Sequence, residues 1–276
     1  MSTYKVLLQT GRELLKHHGI ADADVDAWYL LAHVFGINRT DLLLRGDQPV
    51  PTEQEASYRS LLALRAEHIP LQHITGTQEF MGLEFDVSSD VLIPRQDTEL
   101  LVEEVLKVSE GRSILDLCTG SGCIIISIAS LGKPLRAVGA DISEKALEIA
   151  ARNIAKNKAS VELYRSDLFE NISGSFDIIV SNPPYIPSED IPELMPEVRE
   201  HEPVLALDGS ADGLEFYRRI SAEASRFLNK DGFIFYEIGY NQGEAVKQIL
   251  LREGFTDIRI KKDLSGLDRV VYARKP

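Results

Sequence analysis

From about Pro94 to the end of the chain, short apolar runs alternate with longer stretches of helical periodicity, and this alternation constrains the fold more than any other feature. Strands separated by 10 to 15 residues of helix cannot pair as hairpins, so they must lie parallel with the helices as crossovers. The pattern predicts strands at 113–117, 135–140, 161–164, 177–181, 233–238, 257–260 and 269–273, and helices at 97–109, 122–131, 143–156, 213–228 and 242–253. Only the loop Lys261 to Asp268 separates the last two strands, so the final strand is expected to run antiparallel. The stretch Pro183 to Asp212, rich in Pro and acidic residues, is too long for an ordinary connection and is a candidate functional loop.

The first part of the chain reads differently. Between Tyr4 and about Ile69 the apolar residues follow a helical period only: Val6, Leu7, Leu14, Leu15; then Val25, Trp28, Tyr29, Ala32; then Tyr58, Leu61, Leu62, Leu64 and Arg65. Asp22 and Thr52 are candidate N-cap-region residues. From Gly76 to Pro94 the period falls to two, with Phe80, Leu83, Phe85 and Val87 around a Gly82 turn, which predicts a hairpin. The expected organisation is therefore a helical domain at 1–75, a hairpin linker at 76–94 and an α/β domain at 95–276.

Charge and cysteine usage narrow the function. The net charge of −13 is spread, with 7 Lys and Arg against 13 Asp and Glu in residues 1–90 and 23 against 30 in the rest. Binding to a bare polyanion needs clustered basic residues, so a protein or small-molecule substrate is favoured. Two cysteines, Cys118 and Cys123, give no disulfide framework, and the six histidines lack ligand spacing, so no metal site is expected. The longest apolar run, Cys123 to Ala129, is interrupted by Ser127 and is too short for a membrane span. The opening Met-Ser-Thr-Tyr-Lys lacks the regions of a signal peptide, and the reading is a cytoplasmic protein, expected as a monomer.

Two motifs carry chemistry. Ile114 to Cys123 reads as a buried strand, a Gly-containing turn and a helix start, the arrangement that brings ligand atoms against backbone N–H groups. Cys118, Thr119, Gly120, Ser121 and Gly122 form the turn, whose spacing is not that of the dinucleotide fingerprint. Asp141, 21 residues after Gly120, ends the next apolar strand, where a carboxylate can accept from both ribose hydroxyls or cap the following helix. After the third strand, Asp167 could face an adenine amino group and Leu168 its ring; an ordinary turn is the plainer alternative.

The second motif, Asn182-Pro183-Pro184-Tyr185, closes the fourth strand and so opens at the same sheet edge. Its prolines fix φ and bias Asn182 to an extended conformation, making the turn stiff in advance. An amide or aromatic amine nitrogen is a poor nucleophile because its lone pair is delocalised. Methylating it depends on holding the –NH₂ with its lone pair along the bond to the transferring methyl. The Asn182 side-chain oxygen and the Pro183 carbonyl can accept both N–H protons, and Tyr185 offers a flat face for stacking. Asn182, Pro183 and Tyr185 are the expected catalytic residues, with Pro184 completing the substrate bracket.

Taken together these residues resemble class I, seven-stranded methyltransferases, and the whole chain resembles the HemK/PrmC family of release factor glutamine methyltransferases. The likeness includes Ile93-Pro94-Arg95-Gln-Asp97-Thr98-Glu99, the Asp116 to Gly122 loop, Asn182 to Tyr185, Glu202-Pro203-x-x-Ala206-Leu207-x-Gly209-x-x-Asp212-Gly213, and Glu237-Ile-Gly239-x-x-Gln242. The resemblance implies a Rossmann-like catalytic domain, a helical substrate-recognition domain, and S-adenosylmethionine as cofactor with S-adenosylhomocysteine as product. It implies as substrate the Gln of a Gly-Gly-Gln loop in class I peptide chain release factors. Carried over by position, the cofactor contacts are Cys118 to Gly122, Asp141, Leu168 and Asn182. Two residues depart from the family: Cys118 stands where Gly is usual, and Leu168 where an aromatic is frequent. Arg95, Thr98 and Glu99 match a motif near the pocket, for which helix capping by Thr98 and Glu99 is an adequate reading. The alternatives are an adenine-N6 methyltransferase acting on nucleic acid, a glutamine methyltransferase of a ribosomal protein, and a non-catalytic nucleotide-binding module.

Overall fold

The computed structural model describes residues 2–276, which pack as two units. One comprises the chain up to Gly76 together with Met195–His201; the other comprises Thr77–Leu194 and Glu202–Pro276.

The first unit contains α1 (Tyr4–His17), α2 (Ala23–Phe35), α3 (Arg39–Arg45), α4 (Thr52–Ala66) and α5 (Leu71–Thr75). The Thr3 hydroxyl oxygen accepts the Val6 N–H at the start of α1, and the stripe Leu7, Leu8 and Leu15 packs with Leu30, Leu31, Tyr58 and Leu62. Gly11 permits the close approach of α1 and α4, since a Cβ there would stand 2.2 Å from the Tyr58 phenol oxygen. That phenol donates to the Ala27 carbonyl. Asp22 occupies the cap position of α2 without a side-chain cap bond, and Thr52 is the first helical residue after Pro51. The helices α3 and α5 escaped the periodicity because seven and five residues are too few to define a stripe. Within the same unit, Arg65, almost wholly buried, donates to the Asp26 carboxylate at 2.7 Å and to Glu197 on the short helix Pro196–His201. Burial pushes the Asp26 carboxyl up against the opposing pull of this guanidinium.

The second unit opens with an antiparallel hairpin, β1 (Thr77–Phe80) and β2 (Leu83–Asp86). Its two turn residues, Met81 and Gly82, both have positive φ (53° and 73°), the conformation that matches the twist of a tight hairpin. Then follow α6 (Gln96–Leu106), β3 (Ser113–Leu117), α7 (Cys123–Leu131), β4 (Arg136–Asp141), α8 (Glu144–Asn157), β5 (Glu162–Arg165) and β6 (Phe176–Ser181). After the loop that carries α9 (Pro196–His201) come α10 (Glu215–Phe227), β7 (Leu228–Glu237), α11 (Gly243–Arg252), β8 (Thr256–Lys262) and β9 (Asp268–Arg274).

Seven strands form one sheet in the order β5-β4-β3-β6-β7-β9-β8. The first five are mutually parallel, and β9 runs antiparallel to both β7 and β8, as the short final loop predicts. The α/β, seven-stranded fold expected from the alternation is the fold observed. The largest displacement is at β7, which begins five residues ahead of the predicted start because Leu228 pairs with Phe176 across a register irregularity. Helix-covered on both faces, β3 and β6 are buried over Ile114, Leu115 and Leu117 and over Ile178 to Ser181. The strand order reverses at this pair: β4 follows β3 outward on one side and β6 adjoins it on the other. In such sheets the crevice at the carboxyl ends of the two switch-point strands binds ligands.

Candidate functional site

The turn that leaves β3 is built from left-handed residues, with φ of 60° at Cys118, 55° at Gly120 and 80° at Gly122. At Gly120 the space a Cβ would occupy is open, whereas at Gly122 it would lie 2.8 Å from Ile126. Three bonds set the turn. The Thr119 N–H donates to the Ala140 carbonyl at 3.0 Å, the Thr119 hydroxyl to Asp116 at 2.6 Å, and the Gly120 N–H to Asp141 Oδ2 at 2.8 Å. Gly139 on β4 is small for a reason, because a Cβ there would meet Thr119 Oγ1 at 3.0 Å.

Asp141 therefore ties two segments. Its other oxygen, Oδ1, accepts the Ser143 N–H at 2.9 Å, while Ser143 itself caps α8 by accepting from Ala146. The carboxylate is thus a brace of both turns, and the capping alternative falls to its neighbour. Each oxygen keeps a lone pair for a ligand hydroxyl. Burial raises the Asp141 pKa and pushes Asp116 up to about 8. Asp116 Oδ1 is buried without a hydrogen-bond partner.

The turn after β6 lies beside this one, with Leu117 and Ser181 paired in the sheet and the Ser181 hydroxyl donating to the Leu117 carbonyl at 2.7 Å. Pro183 and Pro184 are buried, and Asn182 and Tyr185 are half-buried. The Tyr185 carbonyl accepts from Gln242 Nε2 at 2.9 Å; the same amide donates to Gly213 at 3.2 Å, and its oxygen accepts the Gly239 N–H at 2.9 Å. A Cβ on Gly213 (φ 70°) would stand 2.3 Å from the Tyr185 carbonyl oxygen, and one on Gly209 2.7 Å from the Tyr185 Cα. The candidate loop is consequently more ordered than its composition suggests: Ile186 bridges in parallel with Asp208, donating to Leu207 and accepting from Gly209.

Both turns open on one cavity of ≈ 280 Å³. Of the residues singled out from sequence, Cys118, Thr119, Gly120, Ser121, Asp141, Asp167, Leu168, Asn182 and Pro184 line it, while Gly122, Pro183 and Tyr185 are not among its lining residues. The Asp167 carboxylate accepts from Arg219 at 2.9 Å, and Arg219 lies over the Phe216 ring. Arg219 and Phe216 also line the cavity and were missed, since spacing on α10 gives no hint that this face meets a ligand crevice. Arg95 and Thr98 line it too. The capping reading of Thr98 and Glu99 is corrected by the structure. Glu99 accepts the Met81 N–H of the hairpin at 2.7 Å, the Thr98 hydroxyl stands beside Glu237, and Arg95 donates to the buried Glu202. Both cysteines are free thiols, and burial pushes Cys118 far above the usual thiol range.

A seven-stranded sheet with an antiparallel last strand, a glycine turn braced by the carboxylate of the next strand, and an Asn-Pro-Pro-Tyr turn on the same crevice define a class I methyltransferase. The PrmC N-terminal domain family matches residues 6–76 and the methyltransferase small domain family residues 88–197. A release factor glutamine methyltransferase of Geobacter sulfurreducens is 43% identical, the alignment covering 99% of this chain and 96% of that protein. Another from Agrobacterium fabrum is 42% identical over 99% and 98% of the two chains. The chain belongs to the release factor glutamine methyltransferase family. A methyltransferase structure from Pyrococcus furiosus, 18% identical, matches 70% of this chain and 89% of its own with a TM-score of 0.55, a likeness of fold.

Proposed function

We propose that this enzyme methylates the side-chain amide nitrogen of the glutamine in the Gly-Gly-Gln loop of class I peptide chain release factors, using S-adenosylmethionine. The observation that carries the reading is the adjacency of two stiff turns on paired strands, both facing one cavity, with an acceptor for an –NH₂ group on the second. The cavity suits the cofactor. An open cradle over Gly120 and spare acceptor capacity on Asp141 fit a ligand that lays its backbone-facing edge on the turn and carries ribose hydroxyls. Asp141 would hold the ribose, the Cys118 to Gly122 turn the methionine end, and Leu168 and the Asp167 edge the adenine. When bound, S-adenosylmethionine supplies a methyl group activated by its positive sulfur.

The chain's own residues supply orientation. Asn182 Oδ1 and the Pro183 carbonyl accept the two amide protons, turning the nitrogen lone pair toward the donor, and the Tyr185 ring backs the amide plane. Because prolines fix φ on both sides of the Pro183 carbonyl and Gln242 holds the Tyr185 carbonyl beyond it, the backbone acceptor is set in place. Both carbonyl acceptors gain strength as positive charge develops on nitrogen, so they stabilise the transition state more than the bound substrate. The N-terminal helical unit is proposed to recognise the protein substrate, and the net charge of −13 disfavours duplex DNA as the alternative.

Incubation with labelled S-adenosylmethionine and a release factor, the same factor with its loop Gln replaced by Asn or Glu, and duplex DNA tests the reading. Label is expected on the first alone; label on DNA alone or on the Gln-less factor would overturn it.

A further inference from the structure

Glu237, the last residue of β7, is buried at 2% exposure beside the Asn182 to Tyr185 turn. Its Oε1 faces the Tyr185 hydroxyl at 3.4 Å, while Oε2 has no hydrogen-bond partner. The Thr98 hydroxyl, on the first turn of α6, stands beside the same carboxyl and also lacks a partner of normal geometry. Few buried carboxyls are left so incompletely satisfied without a role. The charged and titratable groups around it come from several elements: Asp97 on α6, Arg269 on β9, Cys123 on α7, and the phenols of Tyr185 and Tyr217. Arg269, the cation that acts most on it, is engaged by Asp97 at 3.0 Å and Asp263 at 3.1 Å. Glu237 thus meets Tyr185 at its hydroxyl and, among the described residues, has no ion pair of its own.

We propose that Glu237 is a positioning residue for methyl transfer: through the Tyr185 hydroxyl it fixes the ring that backs the substrate amide, and as an anion it makes that ring more electron-rich. The inference rests on the methyltransferase reading of the site. As the nitrogen–methyl bond forms and the methyl–sulfur bond breaks, positive charge passes from sulfur to nitrogen and the amide proton leaves to water. A ring whose hydroxyl is drawn on by a carboxylate is richer in electrons and attracts that charge at its face through its quadrupole, as in a cation–π contact. Glu237 takes no proton from the substrate in this scheme. Protonated, it neither draws on the Tyr185 O–H as strongly nor polarises the ring.

Burial pushes Glu237 up to about 7, so its ionisation falls within the working pH range. The rate of bound complexes is then expected to rise roughly tenfold between pH 6 and 8, as the ionised fraction goes from about a tenth to about nine-tenths. The test measures kcat and KM across this range for transfer of label from S-adenosylmethionine to a release factor. The wild type, Glu237→Gln and Tyr185→Phe are compared, with melting curves for all three. The glutamine variant keeps the shape and an acceptor for Tyr185; it is expected to hold both KM values within about twofold, to run no faster than the wild type does at pH 6, and to lose this rise. Tyr185→Phe is expected to lose the same rise, and it tests the link even if Glu237→Gln melts early. Profiles that superimpose on the wild type in both variants would overturn this inference alone. Absence of wild-type transfer would overturn the activity and this inference with it.

Discussion

The turns that end β3 and β6 sit side by side in the sheet, yet they are stiffened by different means. The Cys118 to Gly122 turn takes its shape from left-handed residues and is held by hydrogen bonds to its neighbours, with Asp141 and Asp116 as acceptors. The Asn182 to Tyr185 turn is stiff by its own covalent structure, because two prolines fix φ, and Gln242 and two close-packed glycines then lock its exit. The contrast matches what the proposed roles ask of each turn. A bound cofactor brings many contacts and can complete a hydrogen-bonded cradle, whereas a weakly nucleophilic amide has to meet acceptors already in place.

Four substitutions break or sharpen this contrast. Asn182→Ala removes an oriented acceptor from the stiff turn and is expected to lower kcat by about 10²–10³ while cofactor affinity changes little, as single-turnover rates and calorimetric titration would report. If cofactor affinity fell as far as kcat, the two turns would not be separable in function. Asp141→Ala should do the reverse: losing acceptors on the ribose and on the Gly120 N–H should raise the cofactor Kd roughly 10- to 100-fold, with a smaller change in kcat at saturating cofactor. Gln242→Ala leaves the Tyr185 and Gly213 carbonyls and the Gly239 N–H without this partner. About 1–3 kcal/mol of stability and roughly tenfold in kcat should be lost with cofactor Kd unchanged, read from denaturant unfolding and steady-state rates. Cys118→Gly is the mildest, relieving a left-handed non-glycine residue and raising stability by up to about 1 kcal/mol. A loss of stability there would mean that thiol packing outweighs the backbone strain.

Much of the site could be seen in the linear order of residues. Asn-Pro-Pro-Tyr is rigid for reasons internal to four residues, and the Gly120 turn is marked by its own glycines. Strand-to-helix alternation then brings both to one edge of the sheet. Cavity-lining Arg219 and Phe216 had no such signal, because their side of α10 becomes a wall only when Asp167 packs against it. Glu99 looked like a cap because it sits in a helical first turn, and only the folded hairpin shows that it accepts the Met81 N–H 18 residues earlier.

Local chemistry, then, was enough to determine the strands, the crossover helices and the two turns, since φ preferences and apolar periodicity act over a few residues. Tertiary structure alone decided that Gln242 steadies a carbonyl 57 residues away and that Glu237 meets a phenol hydroxyl 52 residues away. Hydrogen bonds over such separations depend on which strands become neighbours, and that choice is made by burial of the whole sheet.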